Sequence, residues 1–279
     1  MQRRFISRLL SAILLVALSV GVVASRTVAQ PERAVYLKVD YMKVPPGGGE
    51  EYIAIEQDIW KPVHEERMRR GLLTNWSLYD VSYTTPDASY SYVTINVFED
   101  FERLEMTPSE EIFAAAHPEG DYEAMMERTM AAREIVHAEV WQLVDTAVST
   151  TETGPPGRYL VVNFMDAPAG AGEEYLAAES DIWKPIHQHR IDAGRMSGWA
   201  IYSLVLPRGE AMHYNFGTVD FFNEPNDIVG TVDDATIRAS HPDVSEAGIE
   251  AMMTRTNEAR SIFKSELWTL IDTAAGLEE

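Results

Sequence analysis

Between residues 35 and 41 apolar and polar side chains alternate, the pattern of a strand with one buried face. Pro45-Pro46-Gly47-Gly48-Gly49 breaks it. From 50 to 70 the period becomes helical, with Tyr52, Ile55, Ile59 and Val63 on one face. Acidic residues open this helix, Arg67, Arg69 and Arg70 close it, and Gly71 is placed to terminate it. Residues 76–84 and 90–98 are rich in aromatic and β-branched side chains around Pro86-Asp87, which predicts a hairpin. Residues 101–116 and 122–135 read as helix on either side of His117-Pro118-Glu119-Gly120, and 136–144 as a last strand. The order is β-α-β-β-α-β, a ferredoxin-like unit.

The chain then says this again. Asp58-Ile59-Trp60-Lys61-Pro62-Val63-His64 returns as Asp181-Ile182-Trp183-Lys184-Pro185-Ile186-His187, 123 residues later. Arg67, Gly71, Trp76 and Tyr79 are answered by Arg190, Gly194, Trp199 and Tyr202, and His117-Pro118 by His241-Pro242. Met125-Met126 pairs with Met252-Met253, and the run from Trp141 with the run from Trp268. Elements are expected again over 159–165, 173–193, 199–205, 213–222, 227–240 with 245–260, and 262–271. The expected division is therefore a first repeat over 30–148, a Thr-, Gly- and Pro-rich linker over 149–157, and a second repeat over 158–279.

Two ferredoxin-like units with a long first helix and a split second helical region resemble the dimeric α/β barrel superfamily. The resemblance implies an α+β fold: two fused ferredoxin-like βαββαβ repeats forming an intrachain pseudo-dimeric α/β barrel. The superfamily includes cofactor-independent monooxygenases, isomerases, haem enzymes and members without assigned activity. Its ligands often sit between a sheet and its own helices, and fold alone does not choose among these chemistries.

Residues 1–29 stand apart. Arg3, Arg4 and Arg8 precede an apolar run from Leu9 to Val23, and Thr27-Val28-Ala29 offers a cleavage point, the layout of a secretory signal peptide. A retained anchor is the alternative, since the run approaches the roughly 17-residue lower limit of a membrane span. An exported, periplasmic or secreted protein is expected. Without that segment 19 basic residues face 44 acidic ones, a net charge of −25, which disfavours nucleic acid and anionic membrane as partners. With no cysteine, burial alone must hold the exported chain together.

Candidate chemistry lies on the first helix of each repeat. At about 100° per residue, Glu56, Trp60, His64 and Arg67 share one stripe at the edge of the buried face, as do Glu179, Trp183, His187 and Arg190. His64 and His187 are candidate proton carriers, Arg67 and Arg190 oxyanion holders, and Glu56, Trp60, Glu179 and Trp183 substrate contacts. The same residues equally suit a structural tie between helix and sheet. Pro62 and Pro185, inside the expected helices, predict a kink that opens a cleft or bends the helix around a barrel. His117 and His241, beside prolines at helix breaks, suit capping or turn roles, and Trp141 and Trp268 suit core anchors. No zinc-type ligand spacing occurs.

Three readings stay open: a small-molecule enzyme of the cofactor-independent oxygenase or isomerase kind, a haem or tetrapyrrole binder with His64 or His187 as axial ligand, and a non-catalytic scaffold. The first needs no cofactor and takes a small-molecule ligand as its partner.

Overall fold

The computed structural model describes residues 34–83, 88–105, 108–149, 157–209, 211–230 and 232–275. The expected signal segment, the Pro86-Asp87 turn and most of the expected linker lie outside them. The first half supplies β1 (Tyr36–Lys43), β2 (Asn75–Ser82), β3 (Tyr92–Phe98) and β4 (Glu134–Val148). The second supplies β5 (Tyr159–Asp166), β6 (Gly198–Leu206), β7 (Phe216–Phe222) and β8 (Ser261–Ala275). These eight close a barrel in the order β1-β3-β2-β8-β5-β7-β6-β4, every pair antiparallel. Each half contributes four neighbouring strands in the same internal order, and the halves meet at two seams, β2–β8 and β4–β6. Strands β4 and β8 are 15 residues long, longer than expected, because the first part of each pairs with its own half and the last part with the opposite half. β4 takes over 134–135, which the helical pattern had claimed, and β8 begins at 261, between the expected helix and strand.

Strand alternation divides the sheet into two environments. Val39, Tyr41, Trp141, Leu160, Val162, Phe164, Leu204 and Trp268 pack inside the barrel. On the outer face Trp76, Leu78 and Phe98 pack with Tyr52, and Trp199, Ile201 and Phe222 with Tyr175, so each half has its own helix-covered core.

The first helix of each half is where the structure corrects the sequence reading. It is α1 (Gly49–Ile55), a π-helical segment Glu56–Trp60, then α2 (Lys61–Arg69). The second half has α5 (Gly172–Ala178), a π segment Glu179–Trp183, and α6 (Lys184–Asp192). Pro62 and Pro185 lie in the first turns of α2 and α6, where the missing N–H is tolerated. The chain meets each proline with a widened turn just before it. Lys61 N–H reaches back five residues to the Glu56 carbonyl, and Lys184 N–H to that of Glu179. α2 ends in a Schellman motif around Gly71 at φ +67°: Gly71 N–H bonds the Met68 carbonyl and Leu72 N–H that of Arg67. Gly194 does the same for α6.

The second helical region is α3 (Glu110–Ala116) and α4 (Tyr122–Ala132), preceded by a short 3₁₀ turn, Phe101–Glu105. Its partner is α7 (Pro225–Ile228), α8 (Asp234–Ser240) and α9 (Glu246–Ala259). The expected 101–116 and 227–240 helices are thus broken near their starts. No helix among the described residues is long and apolar enough to cross a membrane.

Candidate functional site

Each π segment presents a cluster of side chains to the outer face of its own sheet. The rings of Trp60, His64 and Trp76 stack in sequence, with centroids 5.9 and 5.4 Å apart. Trp183, His187 and Trp199 repeat this at 6.0 and 5.4 Å. Trp60 Nε1 donates to Thr129 Oγ1 on α4 and Trp183 Nε1 to Thr256 Oγ1 on α9, both at 3.2 Å. Arg133 lies over the Trp60 ring with its Nε 3.7 Å from Glu56, and Arg260 over Trp183 with its Nε 3.9 Å from Glu179.

The widened turn also exposes a carbonyl. His117 Nε2 bonds the Ile59 carbonyl at 2.9 Å, and His241 Nε2 that of Ile182 at 3.1 Å. A carbonyl only accepts, so each ring carries its proton on Nε2. Both histidines also end a helix, α3 and α8, so the turn role expected for them extends to holding the π segment.

In the first half the stripe opens on a cavity of about 220 Å³ lined by Glu56, Trp60, His64 and Arg67, with Lys38, Asp40, Thr94 and Asn96 as its floor. All four stripe residues predicted for this half are brought together. The floor was not foreseen, because nothing within one strand shows which helix will cover it. Lys38 Nζ bonds Asp40 at 2.6–2.7 Å. Arg67 Nη1 lies 3.3 Å from His64 Nδ1, and since guanidinium only donates, His64 accepts there and bears its proton on Nε2.

Burial sets the ionisation of the cluster. Desolvation, helped by Arg67 and Lys38, holds the His64 pKa well below its ordinary 6.5, so the ring stays neutral. His187 is pushed down to about 3, again first by burial and then by Arg190. Burial lowers Arg67 to about 10 and lifts Glu56 and Glu179 each to about 7, against the pull of Arg133 and Arg260. Glu56 Oε1 and Asn96 Oδ1 are buried without hydrogen-bond partners.

The floor of the second half differs. Val161 stands where the first half has Lys38, Asn163 for Asp40 and Asp220 for Asn96. His187 Nδ1 lies 3.9 Å from Asp220, whose pKa burial raises to about 6, and Arg190 reaches the Gly230 carbonyl at 3.4 Å.

No protein-family model matches the chain, and no characterised protein matches it in sequence. Solved structures do match in shape. An anthrone oxidase-like protein aligns over 89% of this chain and 95% of its own, at 11% identity and a TM-score of 0.50. A haem-binding protein from Thermus thermophilus aligns over 88% and 96%, at 9% identity and 0.47. A variant chlorite dismutase from Candidatus Nitrospira defluvii aligns over 87% and 93%, at 12% identity and 0.45. The fold is α+β with a closed eight-stranded antiparallel barrel, and its structural neighbours are of the dimeric α/β barrel type. Identity this low carries the fold and nothing about chemistry.

Within this α/β barrel a second polar cluster, at the opposite face of the sheet, escaped the sequence reading. Glu139 accepts from Tyr41 Oη at 2.7 Å, Trp141 Nε1 at 2.8 Å and Tyr214 Oη, with His137 Nε2 at 2.9 Å. Glu266 accepts from Tyr90 Oη at 2.6 Å, Trp268 Nε1 at 2.9 Å and Lys264 Nζ at 2.9 Å. The signal was present in the chain, since Glu139-Val140-Trp141 and Glu266-Leu267-Trp268 repeat. Trp141 and Trp268 serve as the expected anchors, with the two glutamates as the partners they hold. Among the described residues no group of three His, Cys, Asp or Glu could hold a metal ion.

Proposed function

We propose that the chain is an exported small-molecule-binding α/β barrel protein, built as two fused ferredoxin-like repeats, whose first-half cleft catalyses proton removal from a carbon acid. The observation that carries this is Glu56: a carboxyl enclosed in a cavity, one oxygen without a hydrogen bond, and half-ionised near pH 7. A general base works best with a pKa near the operating pH. Neutral His64, its proton on Nε2, donates a hydrogen bond to the oxygen on which negative charge develops, and Arg67 fixes that tautomer while adding positive charge. Trp60 walls the cleft on the apolar side.

Glu56 and His64 sit two helical turns apart, on the order of 12 Å along the axis by helix rise, so base and oxyanion donor meet different ends of a substrate. That separation favours a conjugated ring system whose acidic C–H and carbonyl lie on opposite sides of a ring. Glu56 takes the proton, the electron pair delocalises through the ring, and the oxygen becomes the enolate held by His64 and Arg67. Returning the proton at another carbon is isomerisation, and the enolate is equally the species an oxygenase would hand to dioxygen.

Anthrone has this layout and serves as the probe, with deuterium uptake at its methylene carbon read against the buffer rate. Glu56→Gln should lower the enzyme-dependent rate by about 100-fold or more. The double variant His64→Ala/His187→Ala should also lower it, even if either site alone works. Unchanged exchange in both variants would sink the reading and leave a scaffold.

Haem fits this cleft poorly. A ligating histidine donates its second ring N–H to a carboxylate or carbonyl, whereas His64 Nδ1 faces the Arg67 guanidinium and its ring is stacked by Trp60 and Trp76.

A further inference from the structure

The barrel interior holds a cavity of about 210 Å³, separated by the sheet from the helix-covered clefts. Leu37, Ile95, Val97, Val219, Phe221 and Leu270 point into it and are only half-buried, although a filled barrel interior would bury them fully. An apolar cavity of about 150 Å³ is known to stay dry and take up benzene, so this volume suits a somewhat larger molecule.

The cavity is lopsided in a way that packing symmetry does not require. At the β2–β8 seam Asn75, Ser77 and Thr273 line it, with Ser77 Oγ 3.0 Å from both Asn75 Oδ1 and Thr273 Oγ1. The matching positions of the second half are Gly198, Ala200 and Thr146; Thr273 and Thr146 each donate to a tryptophan carbonyl, of Trp76 and Trp199, so the difference lies in Asn75 and Ser77 against Gly198 and Ala200. Gly217 stands where the first half has Val93, and the Trp141 ring edge lies 3.4 Å from where its side chain would begin. The opposite, aromatic end is formed by Tyr41, Trp141, Phe164 and Trp268, three of which are hydrogen-bonded to or packed beside the saturated Glu139 and Glu266. No Lys, Arg, Asp or Glu lines the cavity among the described residues, so a charged ligand would be desolvated without a partner.

We propose that the barrel interior is a second ligand site, distinct from the helix-covered clefts, for an uncharged molecule of one to two fused rings carrying a hydroxyl or carbonyl. The ring lies among Trp141, Phe164, Trp268 and Val219, and the head group bonds the Asn75–Ser77–Thr273 seam. It does not depend on the chemistry proposed for Glu56.

The test is calorimetric titration of the full chain with 2-naphthol and, in parallel, with naphthalene-2-sulfonate. Naphthol should bind and the sulfonate should not. Gly217→Val restores the first half's residue and fills the cavity, and should weaken naphthol at least about tenfold. Val219→Phe fills the same space from a half-buried position and replaces it should Gly217→Val fail to fold. Ser77→Ala should weaken naphthol but not naphthalene. Glu56→Gln should leave naphthol binding intact, which separates this site from the outer cleft. Naphthol binding that survives both filling variants, or that falls with Glu56→Gln, would overturn the proposal, as would equal binding of the sulfonate.

Discussion

The two helix-covered clefts share their walls and differ in their floors. The Trp–His–Trp stack, the Trp–Thr hydrogen bond, the Glu–Arg pair and the His bond to the π-segment carbonyl recur in both halves with nearly the same distances. The floor reads Lys38, Asp40, Asn96 on one side and Val161, Asn163, Asp220 on the other. Each half keeps one Asp and one Asn on adjacent strands, but in exchanged positions. Side chains repeated so faithfully form a frame common to both clefts, with the carboxyl, the imidazole and the guanidinium included, whereas the floor is where the halves part. Recurrence therefore marks what the two clefts share, and the floor what distinguishes them.

The strongest way to break that distinction is to attack the frame in each half separately. Trp76 and Trp199 are fully buried and stacked on their histidines. Trp76→Ala and Trp199→Ala should each cost about 3–5 kcal/mol, and equally, in urea unfolding. A clear inequality would mean that the matching walls do different jobs.

A pH titration of stability sharpens the comparison. Glu56 and Glu179 keep their protons longer folded, to about pH 7, than unfolded, near 4.5. Their contribution is complete below pH 4.5 and is lost as the pH rises through about 7, on the order of 3 kcal/mol for each. His64 and His187 work the other way: their contribution is present above pH 6.5 and falls away on acidification, toward about pH 3 for His187. Stability should peak in mildly acidic solution. Glu56→Gln and Glu179→Gln should flatten the alkaline fall alike, while Asp220→Asn should flatten it further only in the second half's share. Thermal melts across pH 4–8 would show it, and a fall unaltered by either glutamine would refute the assignment.

The smallest effect is expected at the seams. Lys61 bonds Asp272 at 2.7 Å and Lys184 bonds Asp145 at 2.6 Å, each tying the helix of one half to the last strand of the other. These pairs are partly exposed, so Lys61→Ala and Lys184→Ala should each cost no more than about 1 kcal/mol, and less in high salt. A loss of several kcal/mol would show that the halves depend on these ties for closure.

Most of the framework was legible in the chain because burial repeats with a period. The strand–helix order, Gly71 and Gly194 as terminators and the stripe from Glu56 to Arg67 all follow from local pattern. The π segments did not, because a widened turn is chosen by what surrounds it, here a proline ahead and a histidine from a distant helix break. Asp40, Asn96 and Asp220 were hidden for a related reason. They belong to strands whose outward face reads as ordinary polar surface until a helix covers it. Glu139 and Glu266 could have been found from their repeated place two residues before a tryptophan.

That both halves lie in one polypeptide has a consequence for inheritance. In a pair of identical subunits every substitution arrives twice, on both sides of the axis, and the assembly tolerates only changes that both copies can bear. Here a lysine at position 38 places no lysine at position 161, and an aspartate at 220 does not oblige one at 96. One polypeptide can keep one cleft unchanged while the other drifts, and the barrel need never pass through a form in which both are lost.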